Sequence, residues 1–394
     1  MEAELERKVS RREFLKKAAL GIVGVGVGAY ALDRVFFSGS EVSSDTFKGS
    51  GPKELWKWSK EAFDYIKLGE DRVKCGLCPH GCLLDVGDRG VCRVRVNFNG
   101  RLYSLVYGNP CSVHVDPIEK KPLFHFLPGT TSFSIGTAGC NLRCLNCQNW
   151  EISQFQPEQT QNLDLMPEKA VEAARNNGCA SISYTYNDPV VFYEYVHDTA
   201  GLARKNGLRS VVVTAGYVNE EPLRRLCKVV DAIKVDLKGF REDTYNKLNS
   251  ATLQPVLNTM KTVKDEGVWM EIVNLVVPSW TDSLDVIKEM SQWLYKSLGP
   301  DYPLHFSRFN PEYKLASLPQ TPVETLEAAR RIAMDEGLKF VYIGNVPGHK
   351  AESTYCPKDG GVAIERRGYS IAHKNVDESG YCKKCGEKIP GVWK

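Results

Sequence analysis

Cysteines are the residues of this sequence whose spacing most directly indicates chemistry. Ten of the 13 cysteines fall into three groups, at positions 75, 78, 82 and 92, then 140, 144 and 147, then 356, 382 and 385. Close spacing suits thiolates on a metal centre, whereas disulfide frameworks belong mainly to short secreted chains. We therefore interpret the groups as metal-binding sites, and the isolated Cys111, Cys179 and Cys227 as small buried hydrophobic residues.

The middle group has the spacing C-x3-C-x2-C and directly follows a predicted strand. A loop of this length lets Cys140, Cys144 and Cys147 bind one iron–sulfur cube while the fourth iron keeps an open coordination site. A catalytic centre needs such an open site, whereas a structural tetrahedral site uses four protein ligands. Spacing alone leaves zinc with a distant fourth ligand as the alternative.

Alternating strand and helix patterns surround this loop. Apolar or β-branched runs predict strands at 132–137, 180–185, 208–214, 232–237, 269–277, 304–309 and 339–343. Helical periodicity predicts helices at 167–176, 190–205, 220–229, 284–298 and 322–335. Repeated βα units imply a parallel sheet with right-handed crossovers. The predicted fold class is α/β, a partial or complete parallel (β/α) barrel whose functional residues lie where strands end.

The regions outside the barrel differ from it in composition. We expect a helical stretch near 54–68 and small Cys-rich, metal-binding appendages at both ends of the barrel. The predicted division is a signal or anchor at 1–37, a linker at 38–52, a Cys-rich region at 53–128, the barrel at 129–346, and a zinc-ribbon-like region at 347–394.

A resemblance to a known family rests on the segments 75–82, 113–126, 140–150, 184–189, 234–239 and 345–348. Through them the chain from about residue 69 to 393 resembles the radical S-adenosylmethionine (SAM) superfamily, in particular the AmmeMemoRadiSam-system radical SAM proteins, which are kin of the pyruvate formate-lyase activating enzymes. The resemblance implies a [4Fe-4S] cluster on Cys140, Cys144 and Cys147 whose open iron binds SAM. One electron then yields a 5′-deoxyadenosyl radical that abstracts hydrogen from a substrate.

The resemblance also implies residues that bind the cofactor. Asp188 would accept hydrogen bonds from the SAM ammonium, and Asp236 with Lys238 would meet its carboxylate and ribose. His305 would contact the ribose or adenine. Each residue has a structural alternative: Asp188 as a helix N-cap, Asp236 and Lys238 as an ion pair, and His305 as a satisfied core imidazole.

Three positions depart from the family pattern. Asn146 stands where relatives usually have an aromatic residue beside adenine, although an amide can hydrogen-bond adenine. Asp188 replaces a Glu and shortens the reach by one methylene, and Ala215 stands where relatives tend to have Asn. None of the three departures removes a ligand of the cluster, and the sequence assigns no catalytic side chain.

The two outer cysteine groups predict further metal sites. Cys75, Cys78, Cys82 and Cys92 supply four thiolates within eighteen residues, which suits either a closed zinc site or an auxiliary iron–sulfur cluster. Near the C-terminus, Asp359 stands where a zinc ribbon has its second cysteine. An oxygen ligand can complete a zinc site, so the expected set is Cys356, Asp359, Cys382 and Cys385, with a vestigial ribbon as the alternative.

The expected function is reductive cleavage of SAM to abstract hydrogen from an unidentified protein or small molecule, with glycyl-radical activation as one form. The competing class is a non-catalytic iron–sulfur or zinc protein that transfers electrons or binds partners. The expected partners are SAM, a low-potential electron donor and AMMECR-like or Memo-like proteins. Nucleic acid is not favoured, because 51 Lys and Arg against 48 Asp and Glu give a net charge of only +3.

The N-terminal segment has the pattern of a targeting signal. Arg11 and Arg12 form a twin-arginine pair ahead of an uncharged stretch at 18–32, which is short of the roughly 20 residues a membrane span needs. We therefore predict membrane association or export through this segment. A cytoplasmic location is the alternative, because SAM, strong reductants and reduced thiols are found there.

Overall fold

We describe the protein from a computed structural model covering residues 54–394. The predicted signal or anchor and the linker lie outside the described residues. Within 54–394, no helix has the length and apolar character needed to cross a membrane.

Short antiparallel strands make up the Cys-rich region. They are β1 (Lys60–Glu61), β2 (Tyr65–Leu68), β3 (Arg72–Cys75), β4 (Leu83–Leu84), β5 (Arg95–Phe98) and β6 (Arg101–Ser104), in two sheets of order β1-β6-β5 and β2-β3-β4. The predicted helical stretch near 54–68 is therefore wrong. Its residues pair instead with β6 and β3, and this tertiary pairing satisfies their backbone groups.

The central sheet has eight strands. They are β7 (Ser112–Pro117), β8 (Thr131–Gly136), β9 (Ser181–Tyr184), β10 (Arg209–Thr214), β11 (Ala232–Asp236), β12 (Trp269–Val276), β13 (Leu304–Arg308) and β14 (Val341–Gly344). They run β14-β13-β12-β11-β10-β9-β8-β7, with β8 to β14 parallel and β7 antiparallel at one edge. Because β14 and β7 end this order, the sheet is an open, partial barrel, which confirms the predicted fold class.

Helices follow the parallel strands. They are α1 (Pro167–Asn176), α2 (Tyr193–Lys205), α3 (Glu220–Cys227), α4 (Leu253–Asp265), α5 (Leu284–Leu298) and α6 (Val323–Asp335). Proline at the first position of α1 fits a helix start, where its missing N–H costs nothing. The outward faces of the strands pack on these helices in one large core that includes Ile182, Val212 and Ile233.

The inner face of the barrel is divided into two levels. At the end where the strands begin, the segment after β7 fills the interior, since Leu123, Phe126 and Leu127 pack on Val211 and Ala232. We call this end the base. At the carboxyl ends of the strands, polar side chains face an open cavity, which is where a parallel barrel positions functional residues.

The C-terminal region packs against the base. It contains β15 (Thr354–Tyr355), β16 (Val362–Arg367) and β17 (Ser370–Lys374) in one antiparallel sheet of order β15-β16-β17. Ile364 and Trp393 share a small core with Phe124 and Tyr342 of the barrel. The C-terminal region is thus joined to the barrel by apolar contact.

Candidate functional site

The cysteine loop, residues 137–149, follows β8 and carries Cys140, Cys144 and Cys147. Cys144 is buried and the other two are partly exposed. Burial raises the pKa of the Cys140 and Cys144 thiols, so a bound metal must displace their protons. The loop presents three thiols at the carboxyl end of the first parallel strand, as predicted.

Hydrogen bonds from distant residues fix this loop. Asn249 donates from Nδ2 to Cys144 Sγ at 3.1 Å, and Ser153 Oγ lies 3.1 Å from Cys147 Sγ. Asn187 accepts from the Thr137 backbone N–H at 3.0 Å and donates to the Gly139 carbonyl at 2.7 Å. The cysteines therefore sit on a loop whose backbone is held in place from two sides.

A cavity of about 440 Å³ opens beside the cysteine loop. All three cysteines of the loop line it, and so do Asn146, Asp188, Asp236 and Lys238. The structure thus brings together seven of the eight predicted residues for the cluster and its cofactor. Apolar side chains of β10 and β12, among them Val213 and Val273, form part of the wall.

Asp188 is buried at the wall of the cavity, and both of its oxygens accept hydrogen bonds. Oδ1 accepts from the Val190 N–H at 3.1 Å and from Thr214 Oγ1 at 2.9 Å, and Oδ2 accepts from the Ala215 N–H at 2.9 Å. Burial raises the pKa of this carboxyl, and the three donors oppose that rise. Asp188 therefore caps the turn that begins at Pro189 while facing the cavity.

Lys234, Asp236 and Lys238 alternate along the end of β11 and face the cavity together. Asp236 contacts the Lys234 ammonium through Oδ1, and the Lys238 ammonium lies 3.3 Å from Oδ2. Burial alone would raise the pKa of Asp236, but the two ammonium groups lower it. The trio carries one net positive charge, which suits an anionic ligand group.

Asn146 precedes the third cysteine of the loop and lines the cavity. Its side-chain oxygen is buried and accepts no hydrogen bond from any described residue. A buried acceptor without a donor costs about 1–3 kcal/mol. The Asn146 oxygen is therefore an acceptor that a bound ligand can use.

The structure does not bring His305 to the cavity. Its ring is buried one level lower, where Nε2 lies 2.8 Å from Oε2 of Glu271. On the same strand Ser307, two residues later, does line the cavity. Inward-facing residues of a barrel strand stack in layers, so an inward His at the middle of β13 reaches the interior below the site.

Several cavity-lining residues were not among the sequence predictions. Lys121 and Tyr186 both donate to the buried Asp116 carboxylate, and Lys120 joins them at 2.8 Å. Burial lowers the pKa of Lys121 to about 8. The segment 113–126 had been singled out by resemblance, but nothing in its spacing indicates that it folds back onto the cavity.

The predicted C-terminal metal site is compact. The ligand atoms of Cys356, Asp359, Cys382 and Cys385 all lie within 4.8 Å of one another, and among residues 54–394 this is the only set of three or more potential ligands that does so. Tetrahedral zinc with bonds of about 2.3 Å to sulfur separates its ligands by about 3.8 Å, which is within this limit. The set includes the Asp in place of the missing cysteine.

The predicted N-terminal site, Cys75, Cys78, Cys82 and Cys92, is arranged differently. The four cysteines line a small cavity of about 20 Å³ together with His80, Arg95 and Asn141. Within residues 54–394 the three cysteine groups therefore lie at three places, and the loop group adjoins the cavity of about 440 Å³.

Comparisons with known proteins agree with this architecture. Residues 134–290 match the Radical SAM superfamily. The chain is 50% identical over 331 residues to the uncharacterized protein MJ0808 of Methanocaldococcus jannaschii, an alignment that covers 84% of this chain and 98% of that protein.

More distant similarity extends to enzymes. The chain is 23% identical over 223 residues to the pyruvate formate-lyase 1-activating enzyme of Escherichia coli, covering 52% of this chain and 89% of that enzyme. A radical SAM methyltransferase structure from Sphaerobacter thermophilus aligns with a TM-score of 0.44 at 14% identity, covering 71% of this chain and 76% of that one. The family match and the sequence relatives establish that the chain belongs to the radical SAM superfamily of enzymes.

Proposed function

We propose that the protein holds a [4Fe-4S] cluster on Cys140, Cys144 and Cys147 and cleaves SAM reductively in the adjoining cavity. The observation that carries the proposal is the cavity of about 440 Å³, which exposes the three thiols of the loop to the Asp236 and Lys238 pair. When bound, the reduced cluster and SAM supply a 5′-deoxyadenosyl radical and methionine.

The residues present fit these two groups. Three cysteines leave one iron of a four-iron cube without a protein ligand, as a site that binds a cofactor requires. The unpartnered Asn146 oxygen can accept a hydrogen bond from the exocyclic amine of adenine. The net positive trio of Lys234, Asp236 and Lys238 can bind the methionine carboxylate.

The hydrogen bonds around the loop orient its sulfur atoms. Asn249 and Ser153 contact the sulfurs of Cys144 and Cys147 directly. Such outer contacts tune a metal centre and typically change its metal affinity or activity by about 10–100-fold when removed. Asn187 acts one step further away, because it holds the Thr137 and Gly139 backbone on which the cysteines depend.

Part of the cavity wall is apolar. Val213, Ala215 and Val273 line it without offering hydrogen-bonding side chains. Asp188, whose oxygens already accept three bonds, serves mainly to shape the wall between β9 and β10.

The test is SAM cleavage by anaerobically reconstituted protein. Chain loaded with iron and sulfide is reduced with dithionite and supplied with SAM, and 5′-deoxyadenosine and methionine are measured by chromatography. We expect both products in equal amounts, and neither product without dithionite. Absence of 5′-deoxyadenosine from reduced, cluster-loaded protein would leave the non-catalytic electron-transfer class as the better account.

For the substrate, we propose hydrogen abstraction from a glycine of a partner protein. The support is the similarity to enzymes named as pyruvate formate-lyase activating enzymes. The expected partners remain a low-potential electron donor and a protein such as an AMMECR-like or Memo-like one. Incubation with deuterated candidate proteins and, separately, deuterated small metabolites would show which pool transfers deuterium into 5′-deoxyadenosine, and transfer only from metabolites contradicts the proposal.

Two proposals concern the ends of the chain. Zinc bound by the compact C-terminal set would stiffen the region that packs on the base, and metal analysis of an Asp359→Ala variant should show its loss.

Residues 1–37 would direct the protein to the membrane through Arg11 and Arg12. Replacing both arginines by lysine should abolish targeting in cell fractionation, whereas unchanged fractions would leave the cytoplasmic alternative.

A further inference from the structure

The N-terminal cysteine site is built from the loops around β3 and β5. Cys75 ends β3, Cys78 and Cys82 lie in the next loop, and Cys92 precedes β5. The Cys75 N–H donates to the Cys82 carbonyl at 3.0 Å, which draws the two ends of the loop together. Cys75 and Cys92 are buried, and Cys78 and Cys82 are partly exposed. The four thiols therefore converge from two chain segments.

The space between these thiols is larger than a zinc ion needs. They line a cavity of about 20 Å³, whereas one water needs roughly 10–15 Å³ on this measure. Four sulfurs held about 2.3 Å from a central zinc leave no room for a water-sized sphere at that centre. The cavity at the N-terminal cysteine site is consequently larger than the space at the centre of a zinc site with four sulfur ligands.

The C-terminal set of the same chain supplies a standard for the spacing of a compact site. The C-terminal set has every ligand atom within 4.8 Å of the others, and within residues 54–394 no three ligands of the N-terminal site meet that limit. The cysteine loop does not meet it either. A four-iron cube binds each thiolate through a separate iron and so spreads them apart, whereas zinc gathers them around one ion. The thiols of the N-terminal site are therefore not gathered as closely as the ligands of the C-terminal set.

The site also touches the cysteine loop directly. His80, between Cys78 and Cys82, places Nε2 2.7 Å from the carbonyl oxygen of Asn141. Gly139 has a φ of +80°, and a Cβ there would lie 2.4 Å from the carbonyl oxygen of Cys92. The residues flanking Cys140 on both sides therefore contact the N-terminal site. Electron transfer weakens steeply with distance, and this contact keeps the separation of the two sites short.

The remaining wall is apolar and electrically balanced. Leu77, Leu84 and Val190 line the cavity, and the Arg95 guanidinium beside it forms bonds of 3.0 and 2.6 Å to the Glu194 carboxylate. Besides the thiols, the polar residues that line the cavity are His80, Arg95 and Asn141, and the contacts of His80 with the Asn141 carbonyl and of Arg95 with Glu194 already engage them. A redox cluster in such a dry site has its potential set by its own charge and by burial.

We propose that the N-terminal cysteine site holds a second iron–sulfur cluster, not zinc, and that this cluster relays single electrons to the centre on the cysteine loop. An external low-potential donor of the ferredoxin class reduces the N-terminal cluster by one electron. That electron then passes to the loop centre, which is reduced as the N-terminal cluster is reoxidised. The relay rests on the proposed function, whereas the presence of the cluster does not.

The first experiment measures metals in a chain that lacks the loop cluster. The triple variant Cys140→Ala, Cys144→Ala and Cys147→Ala is reconstituted anaerobically with iron and sulfide. We expect it to keep about four iron and four sulfide per chain, against about eight of each in the wild type. Its dithionite-reduced EPR signal should not change when SAM is added, because the open iron is absent. Cys111→Ser, an isolated cysteine, is the matched control and should retain the wild-type content.

A triple variant that contains two zinc ions per chain and no iron would overturn the proposal. If the triple variant does not fold, elemental analysis of the wild type decides, since about eight iron per chain supports the proposal and about four iron with two zinc contradicts it. These metal counts do not depend on SAM cleavage, so failure of the proposed function is seen separately as cluster-loaded protein without 5′-deoxyadenosine.

The second experiment tests the relay through Cys78→Ser. This variant should lose about half its iron, and cleavage driven by reduced ferredoxin should fall about tenfold or more. Dithionite is small enough to reach the loop centre itself, so the ratio of ferredoxin-driven to dithionite-driven cleavage should fall in the variant. Ferredoxin-driven cleavage at the wild-type rate in a variant that has lost the N-terminal iron would disprove the relay.

Discussion

The two levels of the barrel interior differ in how two of their buried oxygen-bearing side chains are satisfied. At the base, the Glu271 carboxylate accepts hydrogen bonds from the backbone N–H groups of Phe124 and His125, from the Trp269 indole and from His305. At the cavity end, the Asn146 oxygen has no donor among the described residues. Val273 follows Glu271 on the same face of β12 and already lines the cavity, so one strand spans both levels.

The difference separates a structural polar network from a functional one. A fully satisfied buried network stabilises and specifies a single arrangement, whereas an incomplete one costs stability until a ligand arrives. Burial alone would raise the pKa of Glu271, but the His305 hydrogen bond and the other donors lower it. Substitutions at the base should therefore change folding, and substitutions at the cavity end should change binding and cleavage.

The largest expected effect is at the cavity end. Cys144→Ala removes one of three thiolates, so the loop should lose its iron and SAM cleavage should fall by roughly 1,000-fold or more, equivalent to about 4 kcal/mol. The unfolding midpoint of the metal-free protein should change little by comparison. Cys111→Ala serves as the control. Retained cleavage in the Cys144 variant would show that the loop is not the catalytic centre.

Glu271→Gln should give the largest change in stability. The amide cannot satisfy all four donors, and removing one partner of a buried ionic network typically costs about 3–5 kcal/mol. Denaturant unfolding of the metal-free chain measures this loss. Glu289→Gln breaks an exposed pair with Arg241 and should leave the midpoint nearly unchanged. Equal midpoints for the two variants would contradict the division between the levels.

A pH effect should also originate at the base. His125 is buried with Nδ1 2.6 Å from the Pro390 carbonyl and Nε2 2.6 Å from the Tyr342 hydroxyl, and burial lowers its pKa to about 4. The unfolded ring takes up a proton near pH 6.5 and the folded ring does not. The contribution of the neutral ring to the free energy of unfolding is complete above pH 6.5. It is lost as the pH falls towards 4, and the loss is on the order of 3 kcal/mol.

Comparison with His125→Phe isolates this contribution, since the variant has no imidazole to protonate. The difference in unfolding free energy between the two proteins should shrink steadily between pH 6.5 and pH 4. A difference that stays constant over this range would show that the His125 ring titrates normally.

The smallest of these effects concerns the cofactor. Lys238→Gln removes one positive charge from the trio at the end of β11 and should weaken SAM binding about tenfold, or about 1.4 kcal/mol. Anaerobic calorimetry with the cluster-loaded protein measures this affinity. Lys247→Gln changes an exposed lysine paired with Asp243 and is the control. Unaltered SAM affinity in the Lys238 variant would assign that residue to the alternative role of an ion pair.

The sequence predicts the parallel strands and the cysteine loop well because both depend on local patterns. Strands β8 to β14 lie within a residue or two of their predicted bounds, since buried parallel strands are short apolar runs. Cys140, Cys144 and Cys147 lie together because their spacing is itself the motif. β7 was not predicted, because its pairing with β8 is a tertiary contact and its residues include polar ones.

Residues that act across the fold could not be found in this way. Asn249 contacts Cys144 from 105 positions away, and no local pattern marks it. His305 was assigned to the correct strand, but the sequence does not reveal its level in the barrel. That level is fixed by Glu271 on the neighbouring strand, 34 positions earlier.

The closure of the base sets an order of events during synthesis. His125 contacts the carbonyl of Pro390, 265 positions later, and Phe126 bridges to Val392. Contacts that join such distant residues form late, because the intervening chain must first be ordered. A ribosome completes the cysteine loop and all strands of the open sheet before it makes residues 389–393. The sheet that carries the cysteine loop can therefore assemble while the base of the barrel is still unsealed.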